Sequence, residues 1–369
     1  MVLDRETGEM EEPKGPLTGL KVIEFAGIGP GPHVAMLLAD LGAQVVRIDR
    51  PSSKVSNPVV ERARHRLELD LKSDEGRATC RAACTKADVV IEGLRPGVME
   101  RLGLGPDELL RDNSRLVYAR MTGWGQDGPL AHAAGHDINY IAITGALDAV
   151  GRTGDTATPP QNLVGDFGGG SMYCAFGIMA ALFERERSGK GQVVDAAIVD
   201  GATSLMSFFF GARHNPFLTT DRGKGMLGGA AHFYRCFECA DGKEVSIGAI
   251  EPQFYAELLA KAGAPEDLAQ GQMNPAEWSA NTETLAALFK TKTRDEWTAL
   301  LEGSDACFGP VLSLEEAREH PHMKARGAYV EHDGIWHTAP APRFDRTPGS
   351  VRSSDDNGAA VIQSWLAEG

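Results

Sequence analysis

FAGIGPGPHVAMLLADLGAQVVRID occupies Phe25 to Asp49. The apolar run LKVIEF leads into it, glycines follow at 27, 29 and 31, then an apolar helical pattern, then a second strand ending in an acid. A dinucleotide-binding turn needs GxGxxG at this junction, with an acid about twenty residues on. Gly27, Gly29 and Asp49 satisfy the pattern, but Pro32 stands where the third glycine packs helix against strand. A proline is well tolerated in a helix's first turn. The stretch therefore predicts a β-loop-α-β unit whose helix start receives polar or anionic ligand groups. It argues against a nicotinamide or flavin enzyme.

Outward from it, strand and helix patterns alternate. Strands are predicted at LKVIEF, AQVVRID, HRLELDL, DVVIEGL, LVYARMT and QVVDAAIV, and helices at 31–42, 73–87, 97–103, 105–113, 137–150 and 168–188. Such repetition implies an α/β fold, a doubly wound and mostly parallel sheet in a large domain. The expected organisation is a disordered tail over 1–15 and a large domain over 16–207, to which 332–369 returns. A linker over 208–231, a smaller α+β domain over 232–305 and a second linker over 306–331 complete it. The smaller domain opens with a hairpin turning at Asp241-Gly242.

The chain has 369 residues, 42% hydrophobic and 24% charged, with a net charge of −14. That balance argues against general binding to nucleic acid or a membrane surface. No apolar run is long enough to span a bilayer. The polar, acidic start is neither a signal nor a transit peptide, so a cytoplasmic location is expected. Cys236 and Cys239 form a lone CxxC in the hairpin and read as reduced structural thiols. HPH at 320–322 reads as a helix-entry loop.

Basic residues gather in the first third. Arg50, Arg62, Arg64, Arg66, Lys72, Arg95 and Arg101 are expected at the C-terminal ends of parallel strands, where open α/β sheets bind ligands. A shared anion site follows from that concentration. Further on, His136 precedes an Asp able to cap a helix, and Asp166 opens a long apolar helix with Gly168, Gly169 and Gly170 behind it. Those glycines cost helix stability and leave room beside Asp166. Its backbone N–H is a candidate donor to a developing oxyanion. Glu251 stands at a strand-to-helix junction. Met121, Met172, Met206 and Met226 are candidates for a compliant apolar pocket, with core packing the simpler reading.

Seven stretches together carry a resemblance: GIGPGPHVAMLLADLGAQVVRIDRP, ADVVIEGLRPGVMERLGLG, ARMTGWGQDGP, GHDINY, VGDFGGGSM, GKGQVVDAAIVDG and GAIEPQFY. Over residues 16 to 345 the chain resembles the α-methylacyl-CoA racemases of the family III CoA transferase superfamily. It departs from their pattern at MLGGAAHFY, 226–234, which lacks the Asp before Gly-Gly and the Pro after Ala.

The resemblance implies an interlocked homodimer acting on an acyl-CoA, with no metal or redox cofactor, CoA being part of the substrate. His136 and Asp166 become an acid/base pair for 1,1-proton transfer at C2, and Glu251 a supporting carboxylate. Contacts to CoA fall on Arg50, Leu69, Asp70, Leu71, Lys72, Gly93, Leu94, Arg95, Arg101, Gly135, Asp137, Ile138, Asn139 and Tyr140. In the nearest alternative, a CoA transferase, Asp166 attacks the thioester carbonyl and forms an acyl-enzyme anhydride. A basic residue at position 136 favours the racemase, since transferase relatives commonly hold a non-basic residue such as Tyr there. A third reading, an acyl-CoA binding module without catalysis, needs neither residue.

Overall fold

The computed structural model describes residues 15–51, 54 and 57–368, together with the backbone pairing of Val2–Leu3 and Met10–Glu11. The tail expected at 1–15 otherwise lies outside the described residues. Two compact units are present. The first comprises Met1–Thr144, Gln161–Leu205 and Pro321–Gly369, the second Gly145–Pro160 and Met206–His320.

The first unit is an α/β structure around six parallel strands: β1 Lys21–Phe25, β2 Gln44–Asp49, β3 Arg64–Glu68, β4 Val89–Glu92, β5 Val117–Thr122 and β6 Val193–Ala197. Their order is β3-β2-β1-β4-β5-β6, all in parallel register. The order reverses between β1 and β4, which opens a crevice beyond their C-terminal ends. The helices that matter below are α1 Pro30–Asp40, α2 Asp74–Cys84, α3 Asp137–Ala142, α4 Tyr173–Ser188 and α5 Ile198–Leu205.

Strand residues alternate between two covered faces, which explains their nearly unbroken apolar runs. Val22, Val45, Val89 and Val117 pack with Val34 and Leu38 of α1 and with Cys174 and Ile178 of α4. Ile23, Val46, Val90 and Tyr118 pack with Cys80 and Ala83 of α2 and with Ile362 and Trp365 of the C-terminal helix Gly358–Ala367. The chain end thus returns to this unit, and Asp355 fastens it to β3 by accepting from His65 Nδ1 at 2.9 Å and from the Arg66 N–H at 2.7 Å.

In the second unit, β7 Tyr234–Glu238, β8 Glu244–Gly248 and β9 Phe308–Pro310 form an antiparallel sheet ordered β9-β8-β7. Helix α6, Pro252–Ala262, contributes Tyr255 and Leu259 to its core beside Phe233, Phe237, Phe289 and Trp297.

The boundaries differ from the sequence reading in three places. Gly145–Pro160 belongs with the second unit, because the Arg222 side chain donates to the carbonyls of Asp148 and Asp155. Segment 208–231 is no linker, since Met226 is buried in the second core. Residues 306–320 stay with that core too, through β9, and the return begins at Pro321.

Candidate active site

Beyond Phe25 the chain leaves β1 and turns into α1 at Gly29, whose φ of 68° lies in the left-handed region. A Cβ added at Gly29 would stand 3.1 Å from Asp166 Oδ2, so the loop backbone lies against that carboxylate. Here, at the switch point, opens a cleft of about 720 Å³. Residues 28–30, 93–96, 121–124 and 133–136 line it with Asn139, Tyr140, Asn162, Asp166 and Ile198.

Asp166 sits inside a π-helical segment, Leu163–Met172, not at the start of an α-helix as expected. Such wide turns are rare and recur at functional sites. The glycines inside it do more than clear space. A Cβ on Gly169 would meet the Ala202 N at 2.6 Å, and one on Gly201 would meet the Gly169 O at 1.8 Å. Backbone packing against α5 therefore requires them.

The Asp166 carboxyl is half-buried, and burial raises its pKa. The Asn162 amide, 3.3 Å from Oδ2, opposes the rise, the charge of Asp137 adds to it, and His136 pulls back. His136 itself is exposed on the extended residue before α3, and its backbone N–H donates to Asn139 Oδ1 at 3.1 Å. Tyr140 donates its hydroxyl to the Gly135 O and meets Trp124 edge-on at 4.8 Å. Burial and then the charge of Asp166 raise its phenol pKa, while Arg95 opposes them.

One expectation needs correction. The Asp166 N–H is not available to an oxyanion, because the buried Asp137 carboxylate already accepts it at 2.7 Å. In α3 the Asn139 and Tyr140 N–H groups turn back to the His136 O. The two preceding N–H groups, of Asp137 and Ile138, have no intrahelical acceptor.

The basic cluster also divides. Arg62 is buried against both Asp40 oxygens, at 2.8 and 2.5 Å, and Arg64 is buried against Glu24 at 2.8 Å. Arg64 opens β3 and also donates to the Pro32 O in the first turn of α1, and neither arginine lines the cleft. They hold the sheet together and are no part of an anion site. Arg66 is engaged by Asp49 at 2.9 Å. Arg50, Lys72, Arg95 and Arg101 remain exposed.

Of the residues singled out from sequence, Gly93, Leu94, Arg95, Gly135, His136, Asn139, Tyr140 and Asp166 meet in the cleft. Asp137 lies buried behind it and Ile138 is exposed. Arg50, Leu69, Asp70, Leu71, Lys72 and Arg101 follow strand ends but do not line it. Glu251 belongs to the second unit, exposed just before α6. Met121 lines the cleft, whereas Met226 is core and Met172 is exposed.

Sequence reasoning missed Glu92. Buried at the end of β4, it accepts the Leu94 N–H at 2.7 Å and Arg120 Nε at 3.1 Å, which fixes the loop carrying Arg95. An acid ending a wholly apolar strand, IEGLRP, was the available signal. Asn162 and the contact of Gly29 with Asp166 left no trace in local pattern.

Comparison with known proteins identifies relatives over nearly the whole chain. The chain is 44% identical over 341 residues to the α-methylacyl-CoA racemase of Mus musculus, covering 92% of this chain and 89% of that protein. Identity to acetyl-CoA:oxalate CoA-transferase of Acetobacter aceti is 30% over 388 residues, covering 96% and 97%. The crystal structure of a CAIB/BAIF family protein from Brucella suis superposes with a TM-score of 0.80 at 26% identity, covering 95% of this chain and all of that one. Residues 17–355 match the model of CoA-transferase family III, and the chain belongs to that family.

Proposed function

We propose that the protein is a 2-methylacyl-CoA racemase, interconverting (R)- and (S)-thioesters through an enolate. The observation that carries this reading is the placing of His136 and Asp166 on one cleft, close enough for the imidazole to act on the carboxyl's titration. The 44% identity to the mouse racemase supports the choice of substrate class.

The thioester acidifies C2 by spreading charge onto its oxygen. Exchange of configuration needs a proton taken from one face and another delivered to the opposite face. A neutral imidazole and a protonated carboxyl perform this in one direction, and the two protonation states swap for the other. The raised pKa of Asp166 suits a carboxyl that must hold a proton. Free N–H groups at the start of α3 are the donors to the enolate oxygen, each worth about 3–4 kcal/mol in rate. The exposed cations Arg50, Lys72, Arg95 and Arg101 meet the phosphates of CoA, and Glu251 serves as a supporting carboxylate. The chemistry needs no further cofactor.

The functional form in this reading is a homodimer. Exposed Phe176, Met179 and Phe183 recur at helical spacing along one side of α4, with Met172 just before it, as a face covered by a second copy requires. Six unpaired cysteines fit a cytoplasmic location. Among the described residues no helix is long and apolar enough to cross a membrane.

Incubation of an (S)-2-methylacyl-CoA with the protein in heavy water tests the proposal. Deuterium entering C2 without an acceptor acid supports it. Strict dependence on a second carboxylate, with no wash-in, instead indicates a transferase using Asp166 as nucleophile.

A further inference from the structure

Two adjoining hollows of about 630 and 500 Å³ lie in the second unit and share Arg152, Arg235, Gly228 and Gly229 in their walls. Arg235 projects from β7 and donates from Nη1 to Thr282 Oγ1 at 3.2 Å, while its Nε is buried without any partner. Neither arginine ion-pairs with a carboxylate among the described residues. Arg235 is half-buried and Arg152 exposed, and their lack of a carboxylate partner contrasts with the buried Arg47, Arg62, Arg64, Arg120, Arg185 and Arg294, each of which pairs with an Asp or Glu.

Burial, and then the positive charge of Arg152, lower the pKa of Arg235, so the two cations repel each other. In a chain of net charge −14 such a pair, facing shared open space without a counter-charge, is an unbalanced arrangement.

We propose that Arg152 and Arg235 form an oxyanion site that takes a phosphate-type dianion. Guanidinium forks match the oxygens of a phosphate, and the resulting charge-assisted hydrogen bonds are strong. Two charges on the ligand neutralise both arginines, whereas a monoanion leaves them in net repulsion. The side chain of Arg235, which lines both hollows, and the exposed guanidinium of Arg152 supply the donors.

Calorimetric titration of the full chain with inorganic phosphate, at fixed chloride in a phosphate-free buffer, tests this. A saturable phosphate site is expected to persist in Arg95→Gln and to weaken about tenfold or more, or about 1.4 kcal/mol, in Arg152→Gln and in Arg235→Gln. Acetate at equal ionic strength is expected not to compete. Arg152 is exposed, so its variant folds even if Arg235→Gln does not. Absence of saturable binding overturns the proposal, as does wild-type affinity in Arg152→Gln. Loss of the only site in Arg95→Gln overturns it as well, since phosphate then binds in the cleft of the first unit.

Discussion

The Asp137 carboxylate holds the Asp166 backbone N–H across 2.7 Å, tying the start of α3 to the π-helical segment that carries the candidate acid. One oxygen of Asp137 makes this bond while the other is buried without a partner. Replacement by Ala orphans a shielded N–H, and a stability loss of about 1–3 kcal/mol is expected. Asp137→Asn keeps an acceptor but removes the charge that helps raise the Asp166 pKa. Its limb of the pH–rate profile then moves to lower pH with little change in unfolding temperature. Thermal unfolding and the pH dependence of C2 exchange, measured on both variants, check the two effects.

Packing of α5 on the π-helical segment supplies a second test. At Gly201 a methyl group would collide with the Gly169 carbonyl oxygen, a backbone atom unable to swing aside. Gly201→Ala is expected to cost about 1–3 kcal/mol and to displace the segment holding Asp166, so activity falls at temperatures where the variant is still folded. Gly211→Ala is the control. Nothing lies within 4 Å of the added atom, and within the helix Ser207–Ala212 the change is expected to be neutral or slightly stabilising. Chemical denaturation of both variants distinguishes them.

Glu92 gives a pH signature. Burial pushes its carboxyl from 4.5 up to about 7, against the Leu94 N–H and Arg120, which pull it down. Between those values the folded chain keeps a proton that the unfolded chain releases. Its contribution to stability is therefore full below about 4.5 and is lost as pH rises through 7, with a slope of at most about 1.4 kcal/mol per pH unit. Glu92→Gln still accepts the Leu94 N–H but cannot titrate. Denaturation curves across the window are expected to lose this slope in the variant, and an unchanged slope would assign the titration to another group.

The sheet was legible because each parallel strand is covered on both faces, which forces runs such as VVI at 89–91 that no loop or amphipathic helix shares. The imidazole and the Arg95 loop were legible for a related reason, since His136 directly precedes a helix and Arg95 follows a strand end, whereas the acid was singled out but its π-helical setting was not foreseen. The arginines misled. Arg62 and Arg64 precede or open β3, while Arg66 lies within it, and only the fold reveals that Asp40, Glu24 and Asp49, distant in sequence, neutralise them. Likewise, Gly145–Pro160 looked continuous with α3, because nothing local announces that Arg222 will gather its carbonyls into the second unit.

The most direct test follows deuterium into C2 from each pure enantiomer separately, using His136→Ala and Asp166→Asn. If the imidazole and the carboxyl serve opposite faces, each variant loses wash-in from one enantiomer and keeps it from the other, with the affected enantiomer reversed between the two proteins. Undiminished exchange in either variant, or loss confined to the same enantiomer in both, would contradict a two-sided proton transfer at this cleft.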